Sequence, residues 1–169
     1  MPSIELITTV PSMDHALSED PEYQEAMSGE DWPRLANVIQ RIVGRTIPPG
    51  IPSTVTSDPW RGYFAVDPTT RELIGSCAFK SSPTPEGSVE IAYFTYPPFE
   101  GRGYATEMAR ALVALALKSG AVRTIVAHTF PEPNASTRVL QKTGMTFVGE
   151  VIDPEDGRVW RWELAAPKV

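Results

Sequence analysis

The feature that most constrains the fold is an abrupt change of pattern between residues 89 and 106. An apolar run that favours β structure, containing Val89 and Ile91, stops at Pro97. The chain then passes through Gly-Arg-Gly and enters a segment with helical periodicity. We therefore expect a strand to lead into a helix through a glycine loop at this point.

The glycine loop is suited to an anion. Gly101 and Gly103 have no Cβ atom, so successive main-chain N–H groups can turn toward one point ahead of the helix. Those donors and the helix dipole both favour a phosphate, although glycine also serves tight turns for steric reasons alone. The loop lacks the Lys-Ser/Thr of a nucleoside-triphosphate loop and the third glycine of a dinucleotide fingerprint, which leaves a pyrophosphate cradle of another kind.

The rest of the pattern predicts a mixed sheet with helices on both faces. One short helix should be capped by Ser18 and start at Pro21, and a second should run from Asp31 to Gly44. Strands are predicted at residues 4–10, 62–66, 73–80, 89–95, 122–128, 147–151 and 158–164, and further helices at residues 104–118 and 134–143. Because strand 122–128 is reached through a helix, it should lie parallel to strand 89–95.

These elements predict an α/β (α+β) fold: a mixed, mostly antiparallel twisted sheet of about six or seven strands with helices on both faces. A single domain is expected over residues 1–169. The proline-rich segment 47–60 is interpreted as an irregular loop that lies over this domain.

Composition disfavours several classes of partner. A net charge of −6 does not suit a nucleic-acid backbone and fits a cationic or neutral partner better. The single cysteine, Cys77, cannot form an internal disulfide and is expected to pack as an apolar residue, and no residue spacing indicates a metal site. No apolar run approaches the ~20 residues of a membrane span, and the N-terminus lacks signal-peptide features, so a cytoplasmic protein without a membrane partner is expected.

Three segments resemble the GNAT superfamily of acetyl-CoA-dependent N-acetyltransferases, in the branch that includes ribosomal-protein N-terminal acetyltransferases. They are residues 90–93 (EIAY), 101–107 (GRGYATE) and 134–145 (NASTRVLQKTGM), and the resemblance covers about residues 60 to 164. It implies acetyl-CoA as co-substrate and a primary amine of a small molecule or protein N-terminus as acceptor. It also implies that strands 89–95 and 122–128 splay apart, with the pantetheine arm pairing with main-chain groups in the resulting V.

The loop and the resemblance together predict a set of cofactor contacts. A main-chain N–H of Phe94 or Thr95 would polarise the thioester carbonyl if a bulge freed it from the ladder. The amide of Asn134 would contact the pantetheine, and Arg138 would lie near the phosphates unless it is simply an exposed helix charge. The full set is Phe94, Thr95, Gly101, Arg102, Gly103, Tyr104, Ala105, Thr106, Asn134 and Arg138.

Two residues are predicted to carry the proton transfers. Because a protonated amine cannot attack, Glu90 is the candidate base or acceptor-orienting group, with a solvated strand residue as the alternative. Ser136 is the candidate donor to the departing thiolate, although it or Asn134 could instead cap the helix. Leu140 stands where many family members carry a tyrosine as general acid. The thiolate must therefore take its proton from Ser136 or water, or leave without protonation by the enzyme. His128 could also act as a base, but strand-end histidines are more often structural.

We expect direct attack of the amine in a ternary complex, without a covalent enzyme intermediate. The rival is a non-catalytic acyl-CoA-binding or interaction protein with a degenerate site, which Leu140 and Glu100 favour; Glu100 replaces the family's usual Gln or Arg and should point outward. The acceptor pocket is expected between the N-terminal helices, segment 47–60 and the 151–158 hairpin. Its predicted acidic residues are Asp58, Asp153, Glu155 and Asp156. The identity of the amine and the oligomeric state, a homodimer included, stay open.

Overall fold

The computed structural model describes residues 2–8, 16–46, 59–70 and 72–167. The strands are β1 Glu5–Thr8, β2 Gly62–Val66, β3 Leu73–Phe79, β4 Ser88–Thr95, β5 Thr124–Thr129, β6 Thr146–Asp153 and β7 Gly157–Ala165. The helices are α1 Pro21–Ser28, α2 Trp32–Thr46, α3 Tyr104–Ser119 and α4 Ala135–Lys142, with a short 3₁₀ turn at Pro97–Phe99. Most of the predicted proline-rich loop, residues 47–58, lies outside the described residues, and so does Asp58.

The described strands form one sheet in the order β1-β2-β3-β4-β5-β7-β6. Every pair of neighbouring described strands is antiparallel except β4 and β5, which pair in parallel because β5 is reached through α3. The predicted mixed, mostly antiparallel sheet and its parallel pair are therefore confirmed.

Each face of the sheet carries its own apolar layer. On one face, Met108 and Leu112 of α3 and Leu140 of α4 pack against strand residues such as Ile91. On the other face, residues of α1 and α2 pack against β1, β2 and the residues that follow β4. This second layer comprises Ile7, Leu17, Ala26, Leu35, Val38, Ile39, Ile42, Phe64, Val66, Leu73 and Tyr96. The helices thus lie in pairs, α1 with α2 and α3 with α4, on opposite faces.

The parallel pair separates along its length. Pairing between β4 and β5 joins Ser88–Glu90 to Thr124–Val126 and goes no further within the described strands. Beyond Glu90, β4 pairs with β3, and beyond Val126, β5 pairs with β7. The splay predicted for the two central strands is present, and it opens a gap in the middle of the sheet.

Two predicted helix ends are wrong. Asp20, and not Ser18, caps α1: its Oδ1 accepts the N–H groups of Glu22 and Tyr23 at 2.9 and 3.1 Å, because the residue just before a first-turn proline occupies the cap position. Helix α2 continues through Gly44 to Thr46. A glycine inside a helix costs only about 1 kcal/mol, which packing of the apolar face can offset.

Candidate active site

A cleft of about 690 Å³ opens where β4 and β5 separate. This larger cleft is walled by the end of β4, the glycine loop, the first turn of α3 and one side of α4. Its volume is typical of a small-molecule site. The predicted cofactor contacts that line it are Phe94, Thr95, Gly101, Gly103, Tyr104, Ala105, Thr106 and Arg138.

The N-terminus of α3 presents uncapped donors to this cleft. Gly103 occupies the cap position with φ of +90° and offers no side-chain acceptor, and Gly101 has φ of +76°. By contrast, α1 is capped by Asp20 and α4 by Asn134. The first-turn N–H groups of α3 therefore need another acceptor, and an anion in the cleft would provide one.

The main chain of β4 also faces the gap. Lys80 N–H donates to Glu90 C=O and Tyr96 N–H donates to Ile74 C=O, each at 2.9 Å. Alternation along an antiparallel ladder then turns the main-chain groups of Phe94 toward β3 and those of Thr95 toward the gap.

The bulge expected in β4 is absent. The ladder between β3 and β4 has no register shift across residues 91–95. It is therefore the separation of β4 from β5 that frees the main-chain groups of Thr95 from the parallel ladder. The buried Thr95 Oγ1 has no hydrogen-bond partner among the described residues. Buried hydroxyls are rarely left unpaired, so a bound molecule could supply the missing partner.

Helix α4 begins at the cleft with a complete capping box. Asn134 Oδ1 accepts the Thr137 N–H at 3.0 Å, and Thr137 Oγ1 accepts the Asn134 N–H at 2.9 Å. Asn134 rather than Ser136 is thus the cap, so the Ser136 hydroxyl is not engaged in capping. One turn beyond Arg138, Lys142 also lines the larger cleft. Sequence reasoning missed this second cation, which the i, i+4 spacing from Arg138 could have indicated.

Not every predicted contact lies on the wall of the larger cleft. The Arg102 guanidinium is exposed and lies 5.7 Å from the centroid of the Phe99 ring. Asn134 lines a different, smaller cavity. Glu100 is exposed but also lines the larger cleft, and its N–H donates to the Pro97 carbonyl at 3.2 Å. The outward direction of its side chain stays a prediction.

The smaller cavity, of about 180 Å³, adjoins the larger cleft. Its wall includes Glu90 and Asp156, and the two walls share Tyr93 and Ser136. The Tyr93 hydroxyl donates to the Ser136 carbonyl at 3.4 Å, and burial raises the pKa of Tyr93 to about 12. A protonated phenol therefore lies where the two cavities meet, a position that sequence reasoning missed.

Glu90 is the centre of an ionic cluster in the smaller cavity. Its Oε2 lies 2.9 Å from Lys80 Nζ and 3.0 Å from His128 Nδ1, and 23% of the Glu90 side chain is exposed. The hydrogen bond to Glu90 raises the pKa of Lys80. Glu90 is thus paired and half-buried. Sequence reasoning missed Lys80 and its contact, and it favoured a structural role for His128.

Other side chains are remote from this chemistry. Cys77 is buried and lines neither cavity, and burial raises the pKa of its thiol to about 12, so it packs as an apolar residue. Within the described ranges, no three His, Cys, Asp or Glu side chains converge as metal ligands would. None of the helices described is long and apolar enough to cross a bilayer.

Comparison with known proteins shows the family. Residues 8–146 match the model of the acetyltransferase (GNAT) domain. Comparison with curated protein sequences finds no match.

Solved structures share the fold at low identity. The structure is similar to RimL, a ribosomal alpha-N-protein acetyltransferase in complex with coenzyme A, with 15% identity, a TM-score of 0.63 and coverage of 97% of this chain and 94% of that one. It is similar to the aminoglycoside acetyltransferase AAC(6')-Ib in complex with coenzyme A and kanamycin, with 18% identity, a TM-score of 0.62 and coverage of 96% and 95%. It is also similar to a spermidine N-acetyltransferase chimera of SpeG from Vibrio cholerae and hSSAT, with 15% identity, a TM-score of 0.62 and coverage of 96% and 95%. Because the domain match spans most of the sequence, this protein belongs to the GNAT family of acetyltransferases.

Proposed function

We propose that this protein, as a single domain, transfers the acetyl group of acetyl-CoA to a primary amine of a small molecule or a protein N-terminus. The amine would attack directly in a ternary complex. The observation that carries the proposal is the uncapped α3 N-terminus at Gly103, which faces the gap between two strands that separate after Glu90.

The larger cleft fits the charge and shape of acetyl-CoA. Its diphosphate would take the N–H groups of the first turn of α3, with Arg138 and Lys142 as further cations on the wall. The main-chain groups of Thr95 face the gap, where they could pair with the pantetheine arm or polarise the thioester carbonyl. Acetyl-CoA would supply an activated acetyl group. The protein would supply donors fixed in place before binding.

The smaller cavity fits an amine. It combines two carboxylates, Glu90 and Asp156, with one ammonium group, Lys80, and with His128. The excess of negative charge can attract a cationic acceptor, and the set can take a proton from it. Structural relatives are described as acetyltransferases of spermidine, aminoglycosides and ribosomal protein, which supports an amine as the acceptor class. Part of the expected acceptor wall, segment 47–58, lies outside the described residues.

The departing sulfur would leave near the junction of the two cavities. Ser136, the predicted donor, lies there with its hydroxyl not engaged in capping, and the Tyr93 hydroxyl lies beside it. Leu140 is fully buried in the core and lines neither cavity. Residue 140 therefore provides no proton donor, and Ser136, Tyr93 or water would protonate the departing thiolate.

The rival function is binding of an acyl-CoA without turnover, and Leu140 is the observation that favours it. Thiol release from acetyl-CoA, followed with a thiol reagent, would be measured with a polyamine, an aminoglycoside and a peptide with a free N-terminus. Reactions without amine control for hydrolysis, and calorimetry reports binding. We expect amine-dependent thiol release with at least one acceptor. Binding of acetyl-CoA without release across a broad amine panel would support the rival, and lack of binding would refute both.

A further inference from the structure

The ionic cluster in the smaller cavity joins the two central strands at the point where they separate. Glu90 pairs with Val126 in the last rung of the parallel ladder, and His128 lies two residues further along β5. Residues two apart on a strand share a face, so Glu90 and His128 project from the same face of the sheet. The distance of 3.0 Å between Glu90 Oε2 and His128 Nδ1 joins β4 to β5 where the two strands begin to separate.

The oxygen that makes this contact is already shared. Glu90 Oε2 lies within 3.0 Å of both Lys80 Nζ and His128 Nδ1. An ammonium group can only donate, and a carboxylate oxygen can only accept, so Lys80 and His128 both donate to it. Glu90 Oε2 therefore accepts two hydrogen bonds before any substrate binds.

The same contact fixes the tautomer of His128. With its hydrogen on Nδ1, a neutral imidazole carries its lone pair on Nε2. Among the described residues Nε2 has no hydrogen-bond partner, and the side chain, 15% exposed, lines the smaller cavity. A carboxylate that orients an imidazole in this way leaves one nitrogen available to take a proton from a bound molecule.

We propose that His128 is the catalytic base for the acetyl transfer, with Glu90 as the positioning residue that acts through it. In this step His128 Nε2 takes one proton from the ammonium form of the acceptor, and the neutral amine nitrogen then bonds to the acetyl carbon. The carbon–sulfur bond breaks with its electron pair on sulfur, and a second proton leaves the nitrogen for that sulfur, directly or through water. The imidazolium then returns its proton to solvent through the cavity. The inference rests on the proposed function and changes the role predicted for Glu90.

The test compares His128→Asn with Glu90→Gln. An Asn amide can still donate to Glu90 but carries no base, whereas a Gln oxygen can still accept the Nδ1–H. With an amine identified by the panel, we expect His128→Asn to lower kcat about 100-fold while the KM for acetyl-CoA changes less than threefold. We expect Glu90→Gln to lower kcat about tenfold.

The pH profile of kcat/KM between pH 5 and 8 separates catalysis from structure. The charged groups around His128 are Glu90 on β4, Lys80 after β3, Asp153 and Asp156 at the β6–β7 turn, and Arg161, its register partner on β7. The acidic limb should disappear in His128→Asn and persist in Glu90→Gln. A limb that persists in His128→Asn, or a kcat within threefold of wild type, would overturn the proposal. If His128→Asn does not fold, loss of the limb in Glu90→Gln would overturn the proposal and a persisting limb would support it.

Failure here is distinct from failure of the proposed function. A wild-type protein that binds acetyl-CoA but acetylates no amine would refute the transfer itself. An active wild type whose activity survives in His128→Asn would leave the transfer standing and remove only the base.

Discussion

Left-handed glycines lie before and after helix α3, and substituting each in turn can distinguish an effect on cofactor binding from an effect on folding. Gly101 (φ +76°) lies in the loop before the helix, and Gly120 (φ +71°) is the residue after it. A Cβ atom added at either would meet nothing within 4 Å. Alanine at either position should therefore cost only the left-handed backbone strain, roughly 1–2 kcal/mol. That corresponds to a fall in Tm of about 2–8 °C for a domain of this size.

Only one of the two substitutions should affect acetyl-CoA. Gly101 lines the larger cleft and Gly120 does not. If the diphosphate takes the α3 N–H groups, displacing it from that turn should lose about 1–2 kcal/mol, which raises Kd about 5- to 30-fold. Calorimetry of Gly101→Ala and Gly120→Ala, with thermal melts of both, makes the comparison. An affinity of Gly101→Ala equal to that of wild type would refute the cradle. The same loss of affinity in Gly101→Ala and Gly120→Ala would show that the effect comes from the helix as a whole.

Three further predictions test the packing of the core, the role of Tyr93 where the two cavities meet, and the loss of stability at low pH. Leu112→Ala should lower the free energy of unfolding in urea by about 2–5 kcal/mol, because Leu112 is fully buried and leaves a cavity. Tyr93→Phe should lower kcat about tenfold and leave the Kd for acetyl-CoA unchanged, because the phenol is a hydrogen-bond donor near the departing sulfur; an unchanged kcat would contradict this. Hydrogen bonds from the N–H groups of Asp156 and Glu155 lower the pKa of Asp153 in the folded protein. The ionised Asp153 carboxylate therefore stabilises the fold above about pH 4, and this stabilisation is lost as the pH falls through the folded-state pKa. Thermal melts should show less acid destabilisation in Asp153→Asn than in wild type.

Periodicity and turn residues are local signals, and they predicted most of the fold. Glycine at position 120 and the Asp153 to Gly157 turn mark element ends that the structure reproduces. The cap of α1 was assigned wrongly because Ser18 and Asp20 are both good caps, and only the position of the following Pro21 decides between them. The end of α2 was placed too early because a glycine does not by itself end a helix: its cost of about 1 kcal/mol can be offset by packing of the apolar face.

The larger cleft was easier to predict than the smaller cavity. Glycine loops and helix starts are contiguous in sequence, so spacing alone indicated that Gly101 and Gly103 would stand ahead of a helix. Their contact with a cofactor stays a prediction. The Lys80–Glu90–His128 cluster joins three separate segments, and its formation depends on the register of β5 against β4. Register is a tertiary property, and a shift of one residue would turn His128 to the other face.

The parallel pairing of β4 and β5 explains why the proposed cofactor site and the proposed base lie at one gap. The carboxyl ends of parallel strands lie at the same edge of a sheet. The helices that follow β4 and β5, α3 and α4, therefore both begin at the gap, with their N-termini toward it. Those helices cover one face of the sheet, whereas Glu90 and Phe94 project toward the face of α1 and α2, where Phe94 contacts Trp32 at 5.8 Å between ring centroids. If α3 holds the cofactor as proposed, the acetyl group can reach an acceptor beside Glu90 on the opposite face only through the opening between the strands. Had β5 paired with β4 along its full length, an intact sheet would separate the two proposed halves of the site.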